Sequence, residues 1–345
     1  MNNTPKGTGY YLPPEWHPHI GTWFSYPHNP LTFFDKMDAV RDAYTDIVYY
    51  VSFDEKVHIN VNDENMGKDL LDRLKAKKAN LKNITVHYFP TNDAWCRDHG
   101  AIFLVNKEKK KILATCWKFN SWGGKYPYDL DSKIAELMAD YLGVEKILID
   151  FVLEGGSIDT NGEGVLLTTE QCLLNPNRNP SYTKQEIEDV LKSNLGVEKV
   201  LWLEEGIVGD DTDGHIDDIA RFVSKDTIVT VIEEDPQDEN YKILQENLKK
   251  LKTFTDINNR HFNIVTLPMP LPIYYNNDRL PASYANFYIT NNSVLVPTFN
   301  CKQDKIALEK LKSIFKDKKL IGIDCSNIII GLGAIHCLTQ QIPIP

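Results

Sequence analysis

Residues 156–169 read Gly156-Ser157-Ile158-Asp159-Thr160-Asn161-Gly162-Glu163-Gly164-Val165-Leu166-Leu167-Thr168-Thr169. Asn-Gly suits the positive φ angles of a tight reversal, so 156–159 and 165–168 are expected to pair as a β-hairpin. Downstream, Thr183 is a candidate N-cap with Glu186 three residues on, and Gly196 is a candidate C-terminal stop. That spacing predicts a helix over 184–195. Lys199-Val200-Leu201-Trp202-Leu203 then reads as a buried strand. The unit is strand, strand, helix, strand.

The same unit recurs along the chain. Buried strands are expected at 83–89, 146–150, 199–203, 263–267 and 319–323, roughly 55 to 65 residues apart. Helical stretches precede them near 66–79, 129–142, 184–195, 240–254 and 304–315. Further hairpin arms are expected at 101–105 with 112–115, at 219–223 with 227–231, and at 285–289 with 294–296. Units of this size cannot bury their faces alone and must pack against one another. Closing five of them around an axis would bring the loop after each third strand to one end. No linker or low-complexity tract divides the sequence, which predicts one domain over 1–345.

Those loops hold the reactive side chains. The first carries Trp95-Cys96-Arg97-Asp98-His99-Gly100, the second Glu154-Gly155-Gly156, and the third Gly209-Asp210-Asp211-Thr212-Asp213-Gly214-His215-Ile216-Asp217-Asp218. The fifth comes after the apolar run 326–333, expected as a buried strand, and carries His336-Cys337 near the C-terminus. Asp98, Glu154, His215, Asp217 and Cys337 thus occupy equivalent places in successive units. On extended backbone His336 and Cys337 point to opposite faces, while His215 and Asp217 share one, so His215 is the expected base for Cys337. Asp210, Asp211 and Asp213 read as a solvated acidic loop. A thiol hydrolase needs one orienting acid. A surplus of carboxylates suits a guanidinium, which is planar, permanently charged and matched to bidentate acceptors. A bound cation and an imidazolium would both favour the thiolate.

Bulk properties bound the partners. Net charge is −10 with a pI near 5.4, which argues against nucleic acid or an anionic membrane and favours a small cation. No stretch has the length of a transmembrane helix, and the N-terminal segment lacks the apolar centre of a signal peptide. Six cysteines lie scattered without a paired framework, so free thiols and a cytoplasmic location are expected. A homo-oligomer is compatible with this composition.

The sequence resembles the agmatine deiminase branch of the peptidylarginine-deiminase-like, guanidino-group-modifying enzymes. The resemblance runs from Pro14-Glu15-Trp16 and Thr22-Trp23 through Trp95-Cys96-Arg97-Asp98 and Trp117-Lys118-Phe119-Asn120-Ser121-Trp122-Gly123-Gly124. It continues through Leu153-Glu154-Gly155-Gly156-Ser157, the 167–180 segment, Thr212-Asp213-Gly214-His215-Ile216-Asp217, the 281–288 segment and Ile335-His336-Cys337-Leu338-Thr339-Gln340-Gln341. It implies a five-bladed α/β propeller of pseudo-fivefold ββαβ units that hydrolyses agmatine to N-carbamoylputrescine and ammonia, a step toward polyamines. No metal and no organic cofactor is implied. By motif, Cys337 would be the nucleophile and His215 the acid and base. Asp98 and Asp217 would grip the guanidinium, and Glu154 would orient His215 and substrate. Asp211 and Trp95 match positions near the substrate.

Three departures stand out. Ala101 replaces the family's common proline, and Leu332 and Ala334 replace a glycine and an asparagine before Cys337. They leave open free arginine or peptidyl arginine as substrate, the former favoured by an arginine near the pocket mouth that binds the α-carboxylate. Arg97, Arg178, Arg221 and Arg279 are the candidates. A non-catalytic guanidine-binding protein on the same scaffold is the alternative from another class. A metal hydrolase built on His215, Asp217 and Asp98 lacks dense ligand spacing.

Overall fold

A computed structural model describes residues 4–345, so residues 1–3 of the N-terminal segment lie outside it. The described residues carry a mixed α/β fold of five separate three- or four-stranded sheets and one two-stranded hairpin. In four of the sheets the first strand pairs antiparallel with the second, and a crossover helix returns the chain to pair in parallel as the third. These are Ile102–Asn106, Lys111–Lys118 and Glu145–Val152; Asp159–Thr160, Val165–Thr169 and Lys199–Leu203; Ala220–Ser224, Thr227–Ile232 and Asn263–Pro268; and Tyr288–Ile289, Ser293–Thr298 and Lys319–Asp324. The crossover helices are Ile134–Leu142, Lys184–Leu195, Asn240–Leu251 and Lys302–Ile314. Burial of one stripe per helix against its sheet holds each unit together. In Lys184–Leu195 that stripe is Ile187, Leu191 and Leu195, and the helix opens on a capping box between Thr183 and Glu186 and ends on Gly196 at φ 68°.

The fifth sheet is assembled from both ends of the chain. His19–Ser25 pairs antiparallel with Thr339–Pro343 and in parallel with Lys56–Asn60, which pairs in turn with Ile84–His87. The C-terminal strand thereby supplies the antiparallel member that a hairpin provides elsewhere. Gln340 adds a bond from Nε2 to the Ala101 carbonyl (2.9 Å), and Gln341 accepts from Arg97 Nη1 (2.6 Å). A terminus that would otherwise fray is tied on both faces.

Two local expectations are corrected. The run 326–333 is not a strand: Ile328–Gly331 forms a 3-10 turn, with Ile329 N–H donating to the Cys325 carbonyl and Leu332 N–H to that of Ile329. A short apolar run has no period that separates a buried strand from a buried turn. His215-Ile216-Asp217 is likewise not extended, because Ile216–Asp218 is a 3-10 turn that His215 precedes. The strand His19–Ser25, the 18-residue helix Met37–Asp54 and the hairpin of Tyr274–Tyr275 with Asp278–Arg279 had no counterpart among the elements expected from sequence.

Candidate active site

Gly156 is the point on which the side chains converge. A Cβ on it would lie 2.6 Å from His215 Nδ1, 2.8 Å from Asp98 Oδ1 and 3.0 Å from Asp217 Oδ2. No other residue fits, and three groups from two other units meet there because this one has no side chain. Asp98 sits on the short helix Cys96–His99, its Oδ1 accepting from Gly156 N–H (3.0 Å) and its Oδ2 from Trp122 Nε1 (3.0 Å). His215 Nδ1 stands 3.7 Å from Asp98 Oδ1. Cys337 Sγ lies 3.8 Å from Asp217 Oδ2, and Arg97 N–H donates to the Cys337 carbonyl (3.1 Å), tying the last loop to the first. All of these side chains are buried.

His336 and Cys337 do not diverge on extended backbone as expected. They lie in a turn closed by Leu338 N–H to the Ile335 carbonyl and Thr339 N–H to that of His336, and both reach the same oxygen of Asp217. His336 is nevertheless fully engaged, with Nδ1 on Asp217 Oδ2 (2.6 Å) and Nε2 on Glu15 Oε2 (2.7 Å). Neither ring nitrogen of His215 has a hydrogen-bond partner, nor do Asp217 Oδ1 and Glu154 Oε2. Buried polar atoms are rarely left so. Glu154 Oε1 is held by Arg178 Nε (2.7 Å), which leaves its second oxygen available.

The charges are strongly biased. Burial, then Asp217, Asp218 and Asp98, push the Cys337 thiol well above its ordinary value. Burial alone would lower His215, but Asp98, the Cys172 thiol beside it and Asp217 more than reverse this and raise it well above the usual imidazole. Burial also raises Asp98, with Asp217 and Glu154 adding to it against the opposing pull of His215. For Asp217 burial is outweighed by the His336 hydrogen bond and charge, so its carboxyl is held low, while burial and the neighbouring Asp217 drive Asp218 up. The carboxylates around Cys337 and the burial of its sulfur oppose formation of the thiolate.

Other expected residues lie differently. The Trp95 ring packs on Phe33 with centroids 5.8 Å apart and leaves no room for a Cβ at Gly331 or Gly333, in the loop that leads to Cys337. Asp211 is half-exposed, accepts from Tyr126 Oη (2.6 Å) and pairs with Lys125 (3.4 Å), outside the buried cluster. The acidic loop is not simply solvated. Asp210 accepts from the N–H groups of Thr212, Gly214 and His215, and Asp213 from Arg178 and Asn177. Leu332 adopts the left-handed region at φ 68°, where its replacement of glycine carries strain. Each arginine that could have met a substrate carboxylate is already paired: Arg97 and Arg221 with Glu15, Arg178 with Glu154 and Asp213, Arg279 with Asp238.

Asn286 was not anticipated. It comes from the segment after Asn263–Pro268, the one loop to which no reactive residue had been assigned. Its Nδ2 donates to Cys337 Sγ (3.1 Å) and Asp218 Oδ1 (2.9 Å), while its Oδ1 accepts from the N–H groups of His336 (2.9 Å) and Cys337 (3.4 Å). The fivefold spacing itself was the available signal, since four loops supplied polar groups and the fourth unit should have done so too.

Comparison with known proteins extends these observations. Residues 11–343 match the family model described as Porphyromonas-type peptidyl-arginine deiminase. A protein of Legionella pneumophila, provisionally named agmatine deiminase, is 38% identical over 348 residues, covering 99% of this chain and 97% of its own. The structure of the agmatine deiminase of Enterococcus faecalis is similar at TM-score 0.93 and 33% identity, over 99% of this chain and 98% of that one. A cysteine-to-serine variant of C. jejuni agmatine deiminase with substrate bound is similar at TM-score 0.87 and 35% identity, over 96% of each chain.

Proposed function

We propose, for a chain that belongs to the Porphyromonas-type peptidyl-arginine deiminase family, the hydrolysis of agmatine to N-carbamoylputrescine and ammonia. The observation that carries this reading is the anionic chamber around Gly156, where a thiol, an imidazole and three carboxylates meet with buried acceptor atoms unfilled. A guanidinium supplies the missing donors and the missing positive charge together. Asp98 and Asp217 grip its nitrogens, and Glu154 Oε2 engages the imidazole or the substrate. The same carboxylates that suppress the Cys337 thiolate are neutralised by the bound cation. Substrate binding therefore activates the nucleophile it is about to meet, with Asn286 Nδ2 donating to the sulfur.

The thiolate attacks the guanidinium carbon. One C–N bond then breaks as His215 gives a proton to the departing ammonia, leaving an amidino-thioether on Cys337. His215 next takes a proton from water, whose oxygen adds to the same carbon, and the C–S bond breaks to release the ureido product and restore the thiol. Holding the planar cation in line with sulfur contributes proximity, and proton transfer adds roughly 10²–10⁴-fold. Trp95 flanks the channel and Asp211 stands at its rim, suited to the distal ammonium. The cysteine-to-serine replacement in the C. jejuni structure with substrate bound supports the role given to Cys337. Prior engagement of Arg97, Arg178, Arg221 and Arg279 favours agmatine over free arginine, whose carboxylate needs a cation.

The reading takes the five sheets as the blades of one closed five-bladed propeller domain, with the terminal strand joined to the first sheet in its favour. Six free cysteines fit the reducing cytoplasm, and no helix among the described residues is long and apolar enough to cross a membrane. Ammonia release from agmatine and from arginine, with the product mass of each, tests the activity. Turnover of agmatine to a product one mass unit heavier, with arginine poorer by roughly 10²-fold or more, is expected. A folded protein that turns over neither would overturn it.

A further inference from the structure

Behind the Gly156 chamber lies a second constellation. Glu154, Cys172 and His215 each present a ligand-capable atom, and these atoms all lie within 4.8 Å of one another. All three side chains are fully buried. Glu154 Oε2 and both ring nitrogens of His215 have no hydrogen-bond partner, so the cluster holds unsatisfied donors to a ligand as well as suitable elements. Cys172 is a free thiol from the short helix Glu170–Leu173, which Thr169 caps and which bends the chain back toward the third loop. The deiminase reaction uses His215 and Glu154 and has no role for this sulfur.

We propose that Glu154, Cys172 and His215 form a binding site for a borderline-soft divalent cation of the zinc class, and that its occupation switches the enzyme off. One sulfur, one imidazole nitrogen and one carboxylate oxygen make a donor set that zinc takes readily, whereas magnesium and calcium prefer oxygen alone. Zinc holds sulfur at about 2.3 Å and nitrogen or oxygen near 2.0–2.2 Å, which sets about 3.5 Å between ligand atoms in a tetrahedron. Contraction from the present spacing takes about an ångström of side-chain movement. The fourth position is left for water. Binding forms S–M, N–M and O–M bonds and releases two protons to solvent, one from the Cys172 thiol and one from the His215 imidazolium, with no change of oxidation state. Asp98 and Asp217 lie close enough to His215 to act on its charge, while Arg178 lies on the other oxygen of Glu154. A metal on His215 removes the proton carrier and claims the free oxygen of Glu154. The inhibition rests on the deiminase reading; the binding does not.

Cobalt(II), added to the purified full-length chain, is the probe, because a thiolate ligand gives it a near-ultraviolet charge-transfer band. The expected result is a band that saturates at a single equivalent, is displaced by Zn²⁺, and survives Cys337→Ser. Cys172→Ser should abolish it, and the loss should exceed the roughly 10–100-fold weakening typical of outer-shell changes. His215→Gln, a second ligand variant, should weaken binding comparably with the circular dichroism unchanged. Zn²⁺ should stop ammonia release from agmatine in the wild type, reversibly with chelator, at concentrations that Cys172→Ser withstands. Absence of a band at millimolar cobalt overturns the site. So does a band that persists in Cys172→Ser and disappears in Cys337→Ser, which would place the ion on the nucleophile. An enzyme inactive on agmatine that still shows the Cys172-dependent band would refute the deiminase reading and leave the metal site standing.

Discussion

The two histidines beside Asp217 are placed in opposite circumstances. His336 has a carboxylate on each ring nitrogen and belongs to a buried network in which Glu15 also meets Arg221 at 2.8 Å, Arg97 at 3.5 Å and the Ile289 N–H at 2.8 Å. His215 is equally buried, and neither nitrogen of its ring has a hydrogen-bond partner. The His336 ring is satisfied on both nitrogens and reads as an anchor, while the His215 ring is satisfied on neither and reads as a site. Burial and charge alone would not tell them apart. The accounting of partners does, because an unmade buried hydrogen bond is costly and persists only where something else is to complete it.

The comparison can be broken most forcefully at the nucleophile. Cys337→Ala should lower kcat on agmatine by roughly 10⁴-fold or more, with thermal stability close to wild type. Residual turnover near the wild-type rate would remove Cys337 from the mechanism. Next in size, Asp98→Asn and Asp217→Asn should each cost roughly 10²–10³-fold in kcat/KM, since each removes a charge aimed at the guanidinium. Only Asp217→Asn should also lower the melting temperature, because only Asp217 holds His336. Equal stability of the two variants would dissolve the distinction between anchor and site.

The anchor is tested by Glu15→Gln. Removing one partner of a buried ionic network leaves Arg221 and Arg97 short of countercharge, at a cost of about 3–5 kcal/mol in chemical denaturation. The pH dependence carries the same information. Burial would raise the Glu15 carboxyl, but Arg221, His336 and Arg97 outweigh it and hold it well below its usual range. The unfolded chain then takes up the proton first, near the ordinary value of about 4.3. The stability from Glu15 is therefore complete above that pH and drains away as pH falls below it. Wild type should lose more stability than Glu15→Gln between roughly pH 5 and 3; parallel curves would show that Glu15 is not ionised in the fold. The smallest effect is expected at the rim, where Asp211→Asn should change kcat/KM by less than about tenfold because the side chain is half-exposed and screened.

Local structure was written plainly in the sequence. Thr183, Glu186 and Gly196 marked the ends of Lys184–Leu195, and the strand pairs around Asn161-Gly162 and Thr227–Ile232 came from alternation and turn chemistry. His19–Ser25 was missed because its antiparallel partner, Thr339–Pro343, lies at the other end of the chain. The segment 326–333 was misread because three isoleucines are equally apolar in a strand and in a turn. Glu15 was noticed only as part of a motif. Nothing in Pro14-Glu15-Trp16 announces that its carboxylate meets residues 97, 221 and 336.

The sequence alone determined the repeated unit, its helix caps and hairpins, and the spacing that puts Asp98, Glu154, His215, Asp217 and Cys337 on successive loops. Each of those is a matter of neighbours a few residues apart. Which carboxylate oxygen is occupied and which is free was decided only in three dimensions. Asp98 meets Trp122, Glu154 meets Arg178, Asp217 meets His336 and Cys337 meets Asn286. These contacts span 24 to 119 residues, and no local period encodes them. They form when whole sheets pack, and the atoms left over when that packing is complete are what a substrate can use.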